Sequence, residues 1–165
     1  MHDDRTLVEA RLERAMGQFV RPAQYAERVP LVLSVWHVPG EPVPVDRALR
    51  ADYETFTTGT AWGKPWSTSW FRLTGRVPEE WAGRRVEAVI DPGFTGDGPG
   101  FQAEGLLYDA AGVPLKGIHP RNRHLSVGSP ASGGEPVHLL LTDLVTRRNW
   151  FAELVDTKHI SGESQ

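Results

Sequence analysis

The chain has 165 residues, of which 39 % are hydrophobic and 24 % charged, with a net charge of −3 and no cysteine. This length and composition are typical of one globular domain with a core of its own. The charge is close to neutral, with no basic stripe and no acidic tail, which argues against a nucleic-acid partner. The lack of cysteine excludes disulfides and thiolate metal sites, and we expect a cytoplasmic location.

The N-terminus has none of the features of a signal peptide. Residues 1–5 are charged and lead into an amphipathic stretch rather than an apolar segment. No apolar run in the chain approaches the ~20 residues that a membrane-spanning helix needs. We therefore expect no membrane partner.

The first predicted element is an amphipathic helix over residues 6–19. Thr6 and Glu9 have the spacing of a capping box, in which Thr6 caps the helix and Glu9 reaches back to it. The apolar residues that repeat at helical spacing are Val8, Leu12, Ala15, Met16 and Phe19. Arg21 followed by Pro22 predicts the end of the helix. Its single apolar stripe predicts docking on a sheet or on a partner domain.

Short strands separated by Gly and Pro turns are predicted along the rest of the chain. They cover residues 31–38, 53–58, 68–74, 86–91, 102–108, 113–118, 125–127 and 137–141. Gly112 is expected to supply the positive φ of the turn between 102–108 and 113–118. About seven or eight short strands with one leading helix predict a mainly β fold, a jelly-roll-like β-sandwich.

Three of the six tryptophans, Trp62, Trp66 and Trp70, fall within nine residues. Pro65 argues against a helix interior here, so we predict a Gly/Pro turn that leads into an aromatic strand. In such a strand Trp70 and Phe71 face opposite sides of the sheet. Core packing is the favoured interpretation, because large aromatic side chains dominate core energetics. A sugar-stacking platform is the alternative, which makes Trp62 and Trp66 candidate carbohydrate or interdomain contacts.

A basic segment over residues 119–124 follows the predicted hairpin. His119 and His124 flank two arginines, whose positive charge would repel a bound metal ion. An anion or an interface contact is the better interpretation. The candidate carbohydrate or interdomain contacts in this segment are His119, Arg121, Asn122 and Arg123.

The acidic residues of the chain do not indicate which reaction, if any, it catalyses. Glycoside hydrolysis needs two carboxyl groups held ~5–10 Å apart. The acidic side chains near turns and strand ends are Glu79, Glu80, Asp91, Asp97 and Glu104, and they form no recognisable pair. The chain also lacks a Gly-x-Ser-x-Gly motif and a catalytic cysteine. The residues alone predict a β-sandwich with no assigned catalytic or metal-binding residue.

Five stretches of the sequence carry a resemblance to a known family. They are Arg5–Arg14, Trp62–Phe71, Val77–Gly83, Gly100–Tyr108 and Lys116–Asn122. Through them the chain, from Asp3 to about Leu140, resembles the N-terminal region of bacterial family 38 glycoside hydrolases, the zinc-dependent α-mannosidases. The resemblance implies a β-rich domain placed before a catalytic domain in the same polypeptide. It also implies that zinc and the nucleophile belong to that downstream domain, so this chain itself needs no cofactor.

The sequence after residue 141 departs from the family pattern. The His-x-Asp motif that begins the family's catalytic domain does not follow Leu141. Apolar residues at 144, 151, 154 and 155 have a roughly helical spacing. We therefore expect a β-sandwich domain over residues 1–141 and a divergent tail over 142–165. One interpretation of this tail is a helix, and the other is a non-homologous or frameshifted sequence with no core to join.

Three functions remain open from the sequence. The first is a non-catalytic accessory domain, truncated or split, of a family 38 α-mannosidase that acts on α-mannosides. The second is a free-standing carbohydrate-binding module, and the third is an inactive remnant. The expected partners are the catalytic domain of an α-mannosidase and, as a further candidate, a carbohydrate. We expect the chain by itself to have no α-mannosidase activity.

Overall fold

Strands paired into two antiparallel sheets make up most of the computed structural model, which describes residues 4–20, 23–62, 67–94, 105–143 and 151–157. The four-stranded sheet has the order β1-β10-β5-β8, and the six-stranded sheet has the order β3-β2-β4-β9-β6-β7. The described strands are β1 (Tyr25–Pro30), β2 (Val32–His37), β3 (Glu54–Phe56), β4 (Ser69–Arg76), β5 (Val86–Asp91), β6 (Gly105–Tyr108), β7 (Pro114–Ile118), β8 (His124–Gly128), β9 (Pro136–Asp143) and β10 (Phe151–Thr157). The predicted mainly β sandwich is confirmed, with ten described strands where the sequence predicts seven or eight.

The main core lies between the two sheets and follows the period-two alternation of the strands. On β4, Phe71 and Leu73 point into this core and are fully buried. Phe56 and Trp62 meet the Phe71 ring edge-on, with ring centroids 5.3 and 4.9 Å away. Such edge-to-face contacts are a preferred packing of aromatic rings. The aromatic strand therefore anchors the sandwich, as the sequence predicts.

A second, smaller apolar cluster covers the outer face of the six-stranded sheet. Trp70, which points away from the main core, is 2 % exposed because a short helix lies over it. This helix, α2 (Val45–Leu49), follows residues 39–44, which include three prolines, and the sequence does not predict it. The Tyr53 hydroxyl donates a hydrogen bond of 3.0 Å to the carbonyl oxygen of Ala48. Arg72 donates to the Leu49 carbonyl oxygen at 2.7 Å and also lies over the Tyr53 ring, so α2 is fastened to the sheet.

The N-terminal helix is present but differs from the prediction in its cap and its packing. It comprises α1 (Arg5–Ala15) and a π-helical turn (Met16–Val20). The predicted capping box is wrong: the helix begins one residue before Thr6, Asp4 is the N-cap without a side-chain cap bond, and Glu9 pairs with Arg5. The apolar stripe is exposed rather than docked, and no residue of either segment is buried. In the described ranges no helix has the length and apolarity to cross a membrane.

The segment after residue 141 includes a strand rather than a helical pattern. β9 continues to Asp143, and β10 inserts between β1 and β5 in the four-stranded sheet. Ala152 and Leu154 alternate into the main core and are buried. The expectation of a tail with a helical spacing and no core to join is therefore wrong for Phe151–Thr157. The backbone N–H and C=O groups of this segment form hydrogen bonds with two neighbouring strands. The spacing of its apolar residues does not reveal this pairing.

Candidate functional site

One end of the sandwich gathers the ends of strands from both sheets. In the six-stranded sheet, four strand ends stand side by side in register: Ser69, Asp143, Gly105 and Ile118. In the four-stranded sheet, Asp91 pairs with Phe151. Residues 119–123 join β7 to β8 at the same end, which we call the turn end. Because connections cluster at the ends of a sandwich, the turn end is a natural place for contacts with other molecules.

The turn end is built around a tight turn that contains four of the candidate residues. The Asn122 backbone N–H donates to the His119 carbonyl oxygen at 2.8 Å, and these two residues form a β-bridge. The Asn122 side-chain amide donates to the Gly117 carbonyl oxygen at 2.8 Å. The Arg121 backbone N–H donates to His119 Nδ1 at 3.3 Å. The structure thus brings these candidates together, and Asn122 uses its side chain to hold the turn.

An ion pair fixes this turn to β5. Arg123 Nη1 lies 2.7 Å from Asp91 Oδ2, and Arg123 Nε donates to the Pro120 carbonyl oxygen at 2.7 Å. The other Asp91 oxygen accepts the backbone N–H groups of Gly93 and Phe94 at 2.8 and 2.7 Å. Asp91 is buried and Arg123 is partly exposed. Charge-assisted hydrogen bonds of this kind are stronger than neutral ones, so Arg123 and Asp91 give the turn a fixed position.

Arg121 and His119 are the members of the turn that face outward. Arg121 is exposed, and its guanidinium makes no ion pair or side-chain hydrogen bond within the described part of the chain. His119 is partly exposed, with Nδ1 turned toward the Arg121 backbone. A guanidinium presents five donors in a planar fork that suits carboxylates and other acceptors. The turn therefore offers a donor-rich surface on a rigid support.

The tryptophan candidates do not join this surface. Trp62 is 5 % exposed and packs against Phe71 in the main core, so neither face of its ring is open to a sugar. This burial favours the core interpretation for Trp62 over a stacking platform. Trp66 lies outside the described residues.

The described residues form no group of metal-binding side chains, and Asp91 at the turn end is already paired. Among them, no three His, Asp or Glu side chains come together in a group that could hold a metal ion. Asp91 is committed to Arg123 and to two backbone N–H groups. Asp97 and Glu104 lie outside the described residues. Within the described residues we assign no zinc ligand and no catalytic acid.

The shifted pKa values belong to groups that hold the fold together elsewhere. A hydrogen bond from Arg84 lowers the pKa of Glu27, and the Trp81 indole N–H, 3.1 Å from the same carboxylate, lowers it further. Arg84 also contacts Asp156, which pairs with β5 at the end opposite Asp91. Burial raises the pKa of Tyr53, beneath α2, to about 12. These shifts reflect packing and ion pairing between elements.

Sequence reasoning missed a cleft on the outer face of the six-stranded sheet. It lies beside α2 and is lined by Trp36, Pro44, Asp46, Arg47, Arg50, Ala51 and Asp52. The sequence predicts Trp36 only as part of a strand, and it does not predict α2. The available signal was the group of two acidic and two basic residues over 46–52, but it does not reveal which strand residue lies beside them.

Comparison with known proteins agrees with the fold. A family model described as the jelly roll domain of α-mannosidase matches residues 29–150, which include the turn end and extend past residue 141. Human alpha-mannosidase 2C1 is 29 % identical over 118 residues, which are 72 % of this chain and 9 % of that protein. The chain thus spans a small part of this curated relative. The extent of the family match, together with the two-sheet architecture, shows that the chain belongs to the family of α-mannosidase jelly-roll domains.

Proposed function

We propose that this chain is a non-catalytic accessory domain of a family 38 α-mannosidase and that it contacts the catalytic region of that enzyme. Family membership supports the link to α-mannosidases. The match to 9 % of a curated α-mannosidase supports a role as one part of a larger enzyme. We also place the domain in the cytoplasm, since a chain without cysteine gains nothing from an oxidising compartment.

The observation that carries this proposal is the rigid presentation of Arg121 at the turn end. The Asp91–Arg123 ion pair and the backbone bonds of the turn hold the backbone at Arg121 in place before any partner arrives. A preorganised surface loses less conformational entropy on binding, so more of the contact energy remains as affinity. Arginine is also enriched at protein interfaces. An acidic or carbonyl-rich surface on the catalytic region fits this turn.

The test is a reconstitution of activity from two separately expressed pieces. The 165-residue chain and a family 38 catalytic region are mixed, and release of a chromophore from an aryl α-mannoside is measured with zinc present. We expect the chain alone to be silent and the mixture to be more active than the catalytic region alone. Zinc-dependent turnover that follows the chain through two purification columns would contradict the proposal, as would the absence of any activation.

A pair of arginine variants tests the contact surface. Arg121→Ala removes the outward guanidinium, and Arg11→Ala removes an exposed arginine from α1. We expect Arg121→Ala to raise the concentration of chain needed for half-maximal activation at least about fivefold, the size of a modest interface contact. Arg11→Ala should leave that concentration unchanged. Equal effects of the two variants would show that the turn end is not the contact.

A further inference from the structure

The cleft beside α2 is an open surface depression with the volume of a small-molecule site. Its volume is about 610 Å³, within the range of ligand pockets. Its apolar wall is the indole of Trp36, which is partly exposed. Trp36 stands on β2 in register with Trp70, which is almost fully covered by the second apolar cluster. The Trp36 ring therefore rests on a packed layer and keeps part of its surface open to the cleft.

Four charged residues line the same cleft as Trp36. They are Asp46, Arg47, Arg50 and Asp52, and all four are exposed. Within the part of the chain that the structure describes, none of their side chains forms an ion pair or a hydrogen bond. This contrasts with Asp91 and Arg123 at the turn end, which are committed to each other. The cleft thus holds hydrogen-bonding groups that remain available to a ligand.

The balance of charge indicates the chemical class of that ligand. Two carboxylates and two guanidinium groups leave the cleft with no net charge, so neither an anion nor a cation is favoured overall. A polyhydroxylated ligand uses both types, because each hydroxyl can donate to a carboxylate and accept from a guanidinium. A ligand that also has an apolar face can bury that face against an indole. A pyranose combines these two properties.

We propose that this cleft is a subsite for one neutral pyranose unit of a glycan. The Trp36 indole is the stacking surface, and Asp46, Arg47, Arg50 and Asp52 bind the sugar hydroxyls. The proposal does not depend on the interdomain role of the turn end, because the cleft lies on the outer face of the six-stranded sheet and shares no residue with the turn. The proposal assigns carbohydrate binding to Trp36, which is partly exposed, rather than to Trp62, which is buried.

The experiment is an NMR titration of the isotopically labelled 165-residue chain. The probes are methyl α-mannopyranoside, methyl α-glucopyranoside, methyl β-galactopyranoside and inorganic phosphate. A single sugar unit is small, so we expect a Kd on the order of millimolar for at least one of the three glycosides. Shifts should be largest for the Trp36 indole N–H and for backbone amides of residues 46–52.

Three substitutions in the cleft are compared with two controls. Trp36→Leu keeps an apolar side chain over the second cluster but removes the flat ring, and it should weaken sugar binding at least about tenfold. Asp52→Asn and Arg50→Gln each remove one charged partner and should weaken it roughly threefold to tenfold. Val32→Ala changes an exposed residue on the same strand and the same face, and Arg11→Gln changes an exposed arginine of α1. Both controls should leave the Kd unchanged.

The outcomes separate the proposal from its alternatives. Loss of sugar binding in the cleft variants, with both controls unaffected, supports it. If none of the glycosides binds, if phosphate alone binds, or if Trp36→Leu binds as the unchanged chain does, the proposal is overturned. In that case Trp36 serves only to cover the second apolar cluster. Should Trp36→Leu fail to fold, the two charge variants decide, because both residues are exposed and their replacement does not disturb the core.

Discussion

Trp70 offers a direct test of how the outer face of the six-stranded sheet is held. Its ring lies between β4 and α2, is 2 % exposed, and meets the Tyr108 ring at a centroid distance of 5.5 Å. Replacing it with alanine leaves a cavity beneath Ala48 and Leu140, which belong to the same cluster. We expect Trp70→Ala to destabilise the domain without changing the main core on the other face of the sheet.

The expected loss of stability in Trp70→Ala follows from the buried area of the ring and from its one polar atom, Nε1. A tryptophan that buries about 200 Å² contributes about 5 kcal/mol at ~25 cal/mol per Å². The buried Trp70 Nε1 has no hydrogen-bond partner in the described structure, which costs about 1–2 kcal/mol that the alanine variant recovers. The net loss should be about 3 kcal/mol, at the low end of the usual range for such substitutions. Trp70→Phe also removes the unpaired N–H but keeps a ring, so it should cost about 1 kcal/mol or less.

The measurement is urea unfolding followed by far-UV circular dichroism, which does not depend on the tryptophan being replaced. Unchanged m values would show that the variants differ in stability rather than in unfolded-state compactness. Val32→Ala, at a position 67 % exposed on the neighbouring strand, is the control and should change stability by no more than about 0.5 kcal/mol. The reasoning fails if Trp70→Ala costs less than about 1 kcal/mol, or if Trp70→Phe costs as much as Trp70→Ala.

Three further predictions concern the strands and ion pairs. Leu154→Ala, in the central strand β10, should cost about 2–5 kcal/mol in urea unfolding, and a cost near zero would show that β10 is not part of the core. Arg123→Ala leaves the buried Asp91 carboxylate without its ion-pair partner and should lower the free energy of unfolding by about 2 kcal/mol. Arg123→Lys should recover part of that loss. Equal losses in both variants would argue against the ion pair. Because Arg84 lowers the pKa of Glu27 in the folded state, stability should fall as the pH drops through that pKa, since protonation removes a favoured charge. Glu27→Gln should flatten the pH profile below the ordinary glutamate pKa of 4.5, and an unchanged profile would contradict the assignment.

Patterns among neighbouring residues in the sequence predict much of the β-sandwich. The period-two pattern of β4 correctly placed Trp70 and Phe71 on opposite faces, because successive strand residues always alternate. The hairpin of β6 and β7 was also predictable, since Gly112 adopts a φ of 83° that glycine tolerates without a steric penalty. The four residues of the basic turn were found together because they are neighbours in the sequence.

Contacts between distant residues decided the rest. β10 is a strand because β1 and β5 pair with it on both sides, whereas the spacing of its apolar residues by itself predicts a helix. Asp91 and Arg123 are 32 positions apart, and only the pairing of β5 with β8 brings them together. Strand propensity is weak and depends on burial against neighbours, so a polar segment such as β1 carries little signal of its own. Burial also distinguished Trp62 from Trp36, because a tryptophan is open to a ligand only where no other element covers its ring.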